Sequence, residues 1–343
     1  MNSMVGLILE PRLMVAMDYC QQVPTTMWLR FMKREISTLD MSTSRNKMKK
    51  LLSTLLVMAA VQVWAQQNPT TDNYLFNPVS ISPAYAGQQN GQLQSIYDAQ
   101  WIGLKGAPRT GSMYYDYMAP SRFAFNIGLI DDQVGPLHMQ NLGISTAYHL
   151  QVAKETYFSV GIRYTLNHTT VDLVDEFYVD KIDQSIYDID GPWFQNVDLG
   201  GTLYQENWYI GGTMKNMVRQ EMYDANFTAR IGHLFGGYRF GLNDDWTLNP
   251  SILLNFTENA PMDANLHLFA EYKSYIGAGL NMSPGDEFGM FFKTKLAGGY
   301  HLFYQYNYPL SDLVYVTKQS HVIGVGIDFI RDAKTIVSPR YFL

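Results

Sequence analysis

Cysteine is almost missing from this sequence, charge is scarce, and no long apolar run follows the first 65 residues. The one cysteine, Cys20, lies ahead of a segment that reads as an export signal. The exported chain therefore has no disulfide and no cysteine-metal site. Charged residues make up 16% of the chain, against about 25% in an ordinary soluble domain. The net charge of -6 comes without any Lys and Arg run able to track a phosphate backbone, which excludes nucleic acid as a partner. Without 18 consecutive apolar residues past the leader, helical membrane spans are excluded as well.

What is abundant is aromatic surface: 14% of residues, 24 of them Tyr. Such side chains suit a boundary between lipid and water, ring buried and hydroxyl wet. Met48-Lys49-Lys50, the apolar stretch Leu51 to Val63 and small Ala65 form the three parts of a secretory signal peptide over 48–65. Residues 1–47 then read as an upstream extension produced by a false start, with translation beginning at Met48. Residues 66–90 form a turn-rich segment, 91–330 a barrel and 331–343 a tail.

From Gly91 onward the pattern alternates with period two and lacks amphipathic helices. Phe158, Val160, Ile162, Tyr164 and Leu166 share one face, and Ser159, Gly161, Arg163, Thr165 and Asn167 the other. Leu142, Ile144, Thr146, Tyr148 and Leu150 oppose Gly143, Ser145, Ala147 and His149, and Leu266, Leu268, Ala270 and Tyr272 oppose Asn265, His267 and Glu271. Tyr300, Leu302, Tyr304, Tyr306 and Tyr308 give an almost unbroken aromatic face. A soluble sandwich also alternates, but here the hidden face is small and polar. The expected fold is all-β, a closed antiparallel transmembrane β-barrel of about 14 strands. Strand starts are placed near Gly91, Pro108, Arg122, Leu137, Lys154, Asn196 and Asn207, then Phe227, Asp245, Met262, Ser274, Glu287, Tyr300 and Ser320.

The connections point the same way. Turns at Ala119 to Ser121, Gln205-Glu206, Gly241 to Asp244, Lys273-Ser274 and Gly298-Gly299 are short. Thr169 to Gln195, Lys215 to Asn226 and Pro309 to Gln319 are long and polar, as outward loops of an outer-membrane barrel are. Closure is obligatory, because an open edge in lipid leaves unpaired N–H and C=O groups at several kcal/mol each. Glycines within strands, such as Gly200, Gly211, Gly236 and Gly277, permit bends and close approach of lumen contents.

The segment Asn73-Tyr74-Leu75-Phe76-Asn77-Pro78, then Ser82-Pro83-Ala84-Tyr85-Ala86-Gly87, resembles the opening motif of the PorP/SprF family of type IX secretion membrane proteins. Gln100-Trp101 and Gly106-Ala107-Pro108 are similar to that family's first hairpin, Gly135-Pro136 to its second, and His321 with Val322 to Val325 to its last strand. The likeness runs from about Gln67 to Leu343. It implies an integral outer-membrane protein that works with type IX secretion components and helps export or anchor a cargo carrying a C-terminal sorting domain. Some family members pair with gliding adhesins, others with secreted enzymes. It implies no enzymatic activity and no cofactor or metal. These motif residues would serve structure or partner binding.

Other readings follow from single features. Asn77-Pro78 and Ser82-Pro83 fix an extended, turn-rich segment that either fills the lumen or leads into the first strand from the periplasm. The acidic loop from Asp172 to Asp190 lacks the EF-hand ligand spacing and reads as a solvated surface. The seven histidines are scattered singly and read as lumen lining. Only His149, with Ser145 or Ser159, supplies the residue types of a hydrolase. A porin-like channel for small solutes is the main alternative function.

Overall fold

A computed structural model describes residues 74–88, 91–172, 189–219, 221–222, 225–226, 229–258, 260–317 and 319–329. The proposed extension, signal peptide and tail lie outside the described residues, as do Asp175, Glu176, Asp180, Asp183 and Asp188 of the acidic loop. Alternating residues build fourteen long strands: β1 (Gln92–Ala99), β2 (Arg109–Met118), β3 (Phe123–Val134), β4 (Leu137–Gln151), β5 (Tyr157–Val171), β6 (Phe194–Tyr204) and β7 (Trp208–Lys215). They continue as β8 (Ile231–Tyr238), β9 (Trp246–Thr257), β10 (Asp263–Tyr272), β11 (Ile276–Ser283), β12 (Glu287–Lys295), β13 (Tyr300–Pro309) and β14 (Ser320–Asp328). Consecutive strands pair antiparallel throughout, and β1 pairs with β14 from Gln92↔Asp328 to Ala99↔His321. That seam closes the ring, so no long edge is left open to lipid.

The fourteen strands and the short-turn, long-loop asymmetry agree with the sequence pattern, and the starts fall within a few residues of their expected places. One outward loop is shorter than expected. Thr169 to Val171 still belong to β5, and Ile189–Asp190 pair back onto them. Above the lipid both faces of a strand are polar, so the alternation that marks a strand disappears there. The turn expected at Gly241 starts one residue later, because Phe240–Gly241 pair with Leu248 and Thr247.

Polarity of the two faces is inverted relative to a soluble fold. Ser145, His149, Ser159, Asn196 and Gln305 are buried inward, while Ile127, Ile144, Val160, Ile162 and Ile323 stand about half exposed on the outer wall. Lipid contact accounts for that exposure. Inside, bulky rings sit beside strand glycines: a Cβ at Gly277 would lie 2.3 Å from the Phe269 ring, and one at Gly211 would lie 2.4 Å from that of Phe235. The absent side chain is the space the aromatic ring occupies.

Wall height is uneven. β4 and β5 have 15 residues each, β11 only 8. About 9 to 11 tilted residues suffice to span the hydrocarbon, so β3 to β5 rise beyond it. Their outward row Leu129–Leu142–Leu166 is apolar, and the next row up is Asp131–Gln140–His168. The lipid boundary runs between these rows. Ile144→Arg, well below it, is expected to lower unfolding free energy in vesicles by about 2–4 kcal/mol and Gln140→Arg by about 0–1. Equal costs would remove the boundary.

Candidate functional site in the lumen and at the outer rim

The turn-rich segment ahead of β1 lies inside the ring, and every residue from Tyr74 to Gln88 is buried. Its local shape follows from its prolines. Pro78–Ser80 and Pro83–Tyr85 are single 3-10 turns, each started by a residue whose missing N–H would have had no helical partner. Ser82 caps the second turn, its Oγ accepting the Ala84 N–H at 3.3 Å. Gly87 ends the segment with φ +85, where a Cβ would meet that of Ala124 at 2.5 Å.

The barrel grips this segment mainly by its backbone. Gln94 Nε2 donates to Phe76 O at 3.1 Å, Ser159 Oγ to Ala84 O at 2.7 Å, and Gly87 N to Asp116 Oδ1 at 2.8 Å. His149 Nε2 lies 2.8 Å from Ala86 O. Arg163 sends Nη2 to Val79 O and Nε to Ser145 Oγ at 2.9 Å, with Nη1 3.7 Å from the Asp198 carboxylate. Three rings act as anchors. Tyr74 packs edge-on to His267 at 4.8 Å and donates to Ser251 Oγ at 2.9 Å, Phe76 stacks on Phe303 at 4.9 Å, and Tyr85 lies 5.2 Å from Phe235. Burial holds the phenols of Tyr74 and Tyr85, neither on a spanning strand, well above their usual range, so both remain protonated.

Wall glycines complete the fit. A Cβ at Gly161 would lie 2.4 Å from Pro83 C, one at Gly200 would lie 2.4 Å from Ser82 Oγ, and one at Gly324 would lie 2.5 Å from Phe76. Above the segment, toward the long loops, a cavity of about 260 Å³ is lined by Ser80, Arg163, Asp198, Lys215 and Asn167.

The motif residues divide into two groups. Asn77, Pro78, Pro83, Ala84, Tyr85, Ala86 and Gly87 are in the lumen segment, while Gln100, Trp101, Gly106, Ala107, Pro108, Gly135, Pro136 and His321 are at the long-loop rim. There the Gly135 N–H donates to Gly106 O at 2.9 Å, and a Cβ at Gly106 would lie 3.2 Å from Gly135 Cα. Both glycines have positive φ, at +74 and +56. Asp172 N donates to Pro136 O at 2.8 Å, Gln100 N to Pro108 O at 3.0 Å, and Trp101 N to Ser320 Oγ at 3.0 Å. The β1–β2 loop is thereby tied to the β3–β4 hairpin on one side and to β14 on the other. Gly106→Val is expected to loosen that tie, at a cost of about 1–3 kcal/mol from strain at positive φ, read as faster proteolysis of the loop on intact cells. Unchanged protection would mean that the glycine contact is incidental.

The histidines correct the reading of uniform lumen lining. His149, His233, His267 and His301 face inward, but His138, His168 and His321 are on the outward face. His321 Nδ1 there lies 2.7 Å from Tyr304 OH. The hydrolase combination is otherwise engaged: His149 Nδ1 lies 2.8 Å from Tyr204 OH, its Nε2 meets Ala86 O, and Ser159 donates to Ala84 O. Sequence reasoning did not identify Gln94, Asp116, Arg163 or Ser251 as partners of the lumen segment. Their only signal was polarity on the inward face.

A family model described as type IX secretion system membrane protein PorP/SprF matches residues 63–327. Solved structures of similar shape include the KdgM porin, 7% identical, covering 70% of this chain and 99% of that one with a TM-score of 0.38. The NanC porin is 9% identical over 69% of this chain and 98% of that one, with a TM-score of 0.37. A Pseudomonas aeruginosa FadL homologue is 10% identical over 77% and 95%, with a TM-score of 0.42. No curated protein matches the chain.

Proposed function

Because this chain belongs to the PorP/SprF family of type IX secretion membrane proteins, we propose that it is a non-enzymatic export partner or surface anchor for one secreted cargo. It is an integral outer-membrane barrel. Its role is recognition by the outer rim, where loops on a rigid scaffold bind the cargo's C-terminal sorting domain. The observation that carries this reading is the occupied lumen: Tyr74 to Gln88 are buried within the ring and held by six of its side chains. A lumen filled in this way suits a platform better than a conduit for polypeptide or solute. The tied rim loops around Gly106, Gly135 and Ser320 add a rigid surface for a partner. The reading includes gliding adhesins and secreted enzymes equally as cargo.

Deleting the gene and quantifying surface and medium proteins by mass spectrometry tests it. The expected result is loss of one protein, or one small set, from the surface, with small-solute uptake unchanged. A normal surface proteome with impaired growth on one nutrient would instead establish a solute channel.

A further inference from the structure

On the outer wall, a groove of about 600 Å³ runs across β1 to β5 at the lipid boundary. Its floor is the outward row Ser95, Met113, Leu129, Leu142 and Leu166, and small residues at Ser95 and Gly111 set its depth. Its upper edge is polar. Asp131 Oδ1 lies 2.8 Å from His138 Nε2 and accepts from Gln140 Nε2 at 3.3 Å, while Asp131 itself remains 63% exposed. Beside it Trp193, 57% exposed, stacks on His168 with ring centroids 4.6 Å apart and planes 14° from parallel. His168 is in turn held by Asp190 at 2.8 Å.

We propose that this wall binds one outer-leaflet glycolipid, its acyl chain in the groove and its sugar headgroup against Trp193, Asp131 and Gln140. The order of the two parts, apolar below and hydrogen-bonding above, matches the orientation in which the outer leaflet presents an amphiphile. The headgroup class follows from the edge. Two carboxylates, Asp131 and Asp190, repel a phosphodiester but accept hydrogen bonds from hydroxyls. A flat, exposed indole offers its face to the C–H side of a sugar ring, and its stacking on His168 fixes that face in place. Filling the groove is feasible without breaking the wall, because a Cβ at Gly111 meets nothing nearer than Asp131 O at 4.0 Å.

The full-length barrel, purified in a polyoxyethylene detergent, would be titrated with an uncharged glucosyl diacylglycerol or with phosphatidylethanolamine of the same acyl chains and observed by native mass spectrometry. The wild-type protein is expected to keep a single glucosyl diacylglycerol molecule, preferred over the phospholipid by roughly three- to tenfold, the range expected of an aromatic contact. Trp193→Ala should abolish the preference while leaving acyl binding. Gly111→Leu should displace both lipids, with heat-modified gel mobility unchanged in each variant. Equal retention of the two lipids by the wild type, or wild-type retention by both variants, would overturn the proposal.

Discussion

Planar-bilayer recordings of the barrel lacking Tyr74 to Gly87 are expected to show a stable open level, about tenfold or more above the intact protein. Fourteen strands enclose more space than the roughly eight whose own side chains can fill the interior. In this protein the missing volume is supplied by the lumen segment, whose residues are all buried. Gly161→Leu provides a milder route to the same state. Its first side-chain carbon would fall 2.4 Å from the Pro83 backbone, and backbone cannot swing aside as a flexible side chain can. The glycine variant should raise conductance with the strands intact. Silent recordings from both proteins would show that the lumen is closed by something other than residues 74–88.

The second large effect is expected at Arg163. Its guanidinium serves the Val79 carbonyl, Ser145 and the Asp198 carboxylate together, and both charged residues are buried, at 8% and 2% exposure. Arg163→Met leaves Asp198 with the Asn216 N–H at 3.0 Å as its remaining hydrogen-bond donor among the described residues. Breaking one half of a buried pair costs about 3–5 kcal/mol, which here would appear as unfolding at lower urea in lipid vesicles. Asp198→Asn in the same chain should recover part of the loss, since the buried carboxylate that has lost its guanidinium is then gone. If the double variant is no more stable than Arg163→Met alone, the pair is not the source of the effect.

Much of the architecture was legible because lipid outside and water inside impose opposite demands on neighbouring residues. Phe158 to Asn167 declare both faces of β5 by alternation alone, and the structure keeps every one of those assignments. Legibility ended where the environment stopped differing between faces. Asp131, His138 and His168 lie outward but above the hydrocarbon, so they look no different from lumen residues in the sequence. The site was legible in part. Asn77-Pro78 and Ser82-Pro83 announced a turn-rich segment, but period and composition could not say on which side of the wall it would lie. Its partners are long-range: Tyr74 and Ser251 are 177 positions apart, and Arg163 and Val79 are 84 apart. Gly161, Gly200 and Gly324 carried the clue, because a glycine in mid-strand with no turn beside it needs a neighbour that comes unusually near.

The lumen segment precedes every strand in the chain yet touches β1, β2, β4, β5, β9 and β13. No hairpin alone can hold it. The closed ring as a whole therefore forms its socket, and the β1–β14 seam completes it. Connectivity and depth run together: the residues just ahead of β1 are the innermost, and the pairing of the first strand with the last closes around them.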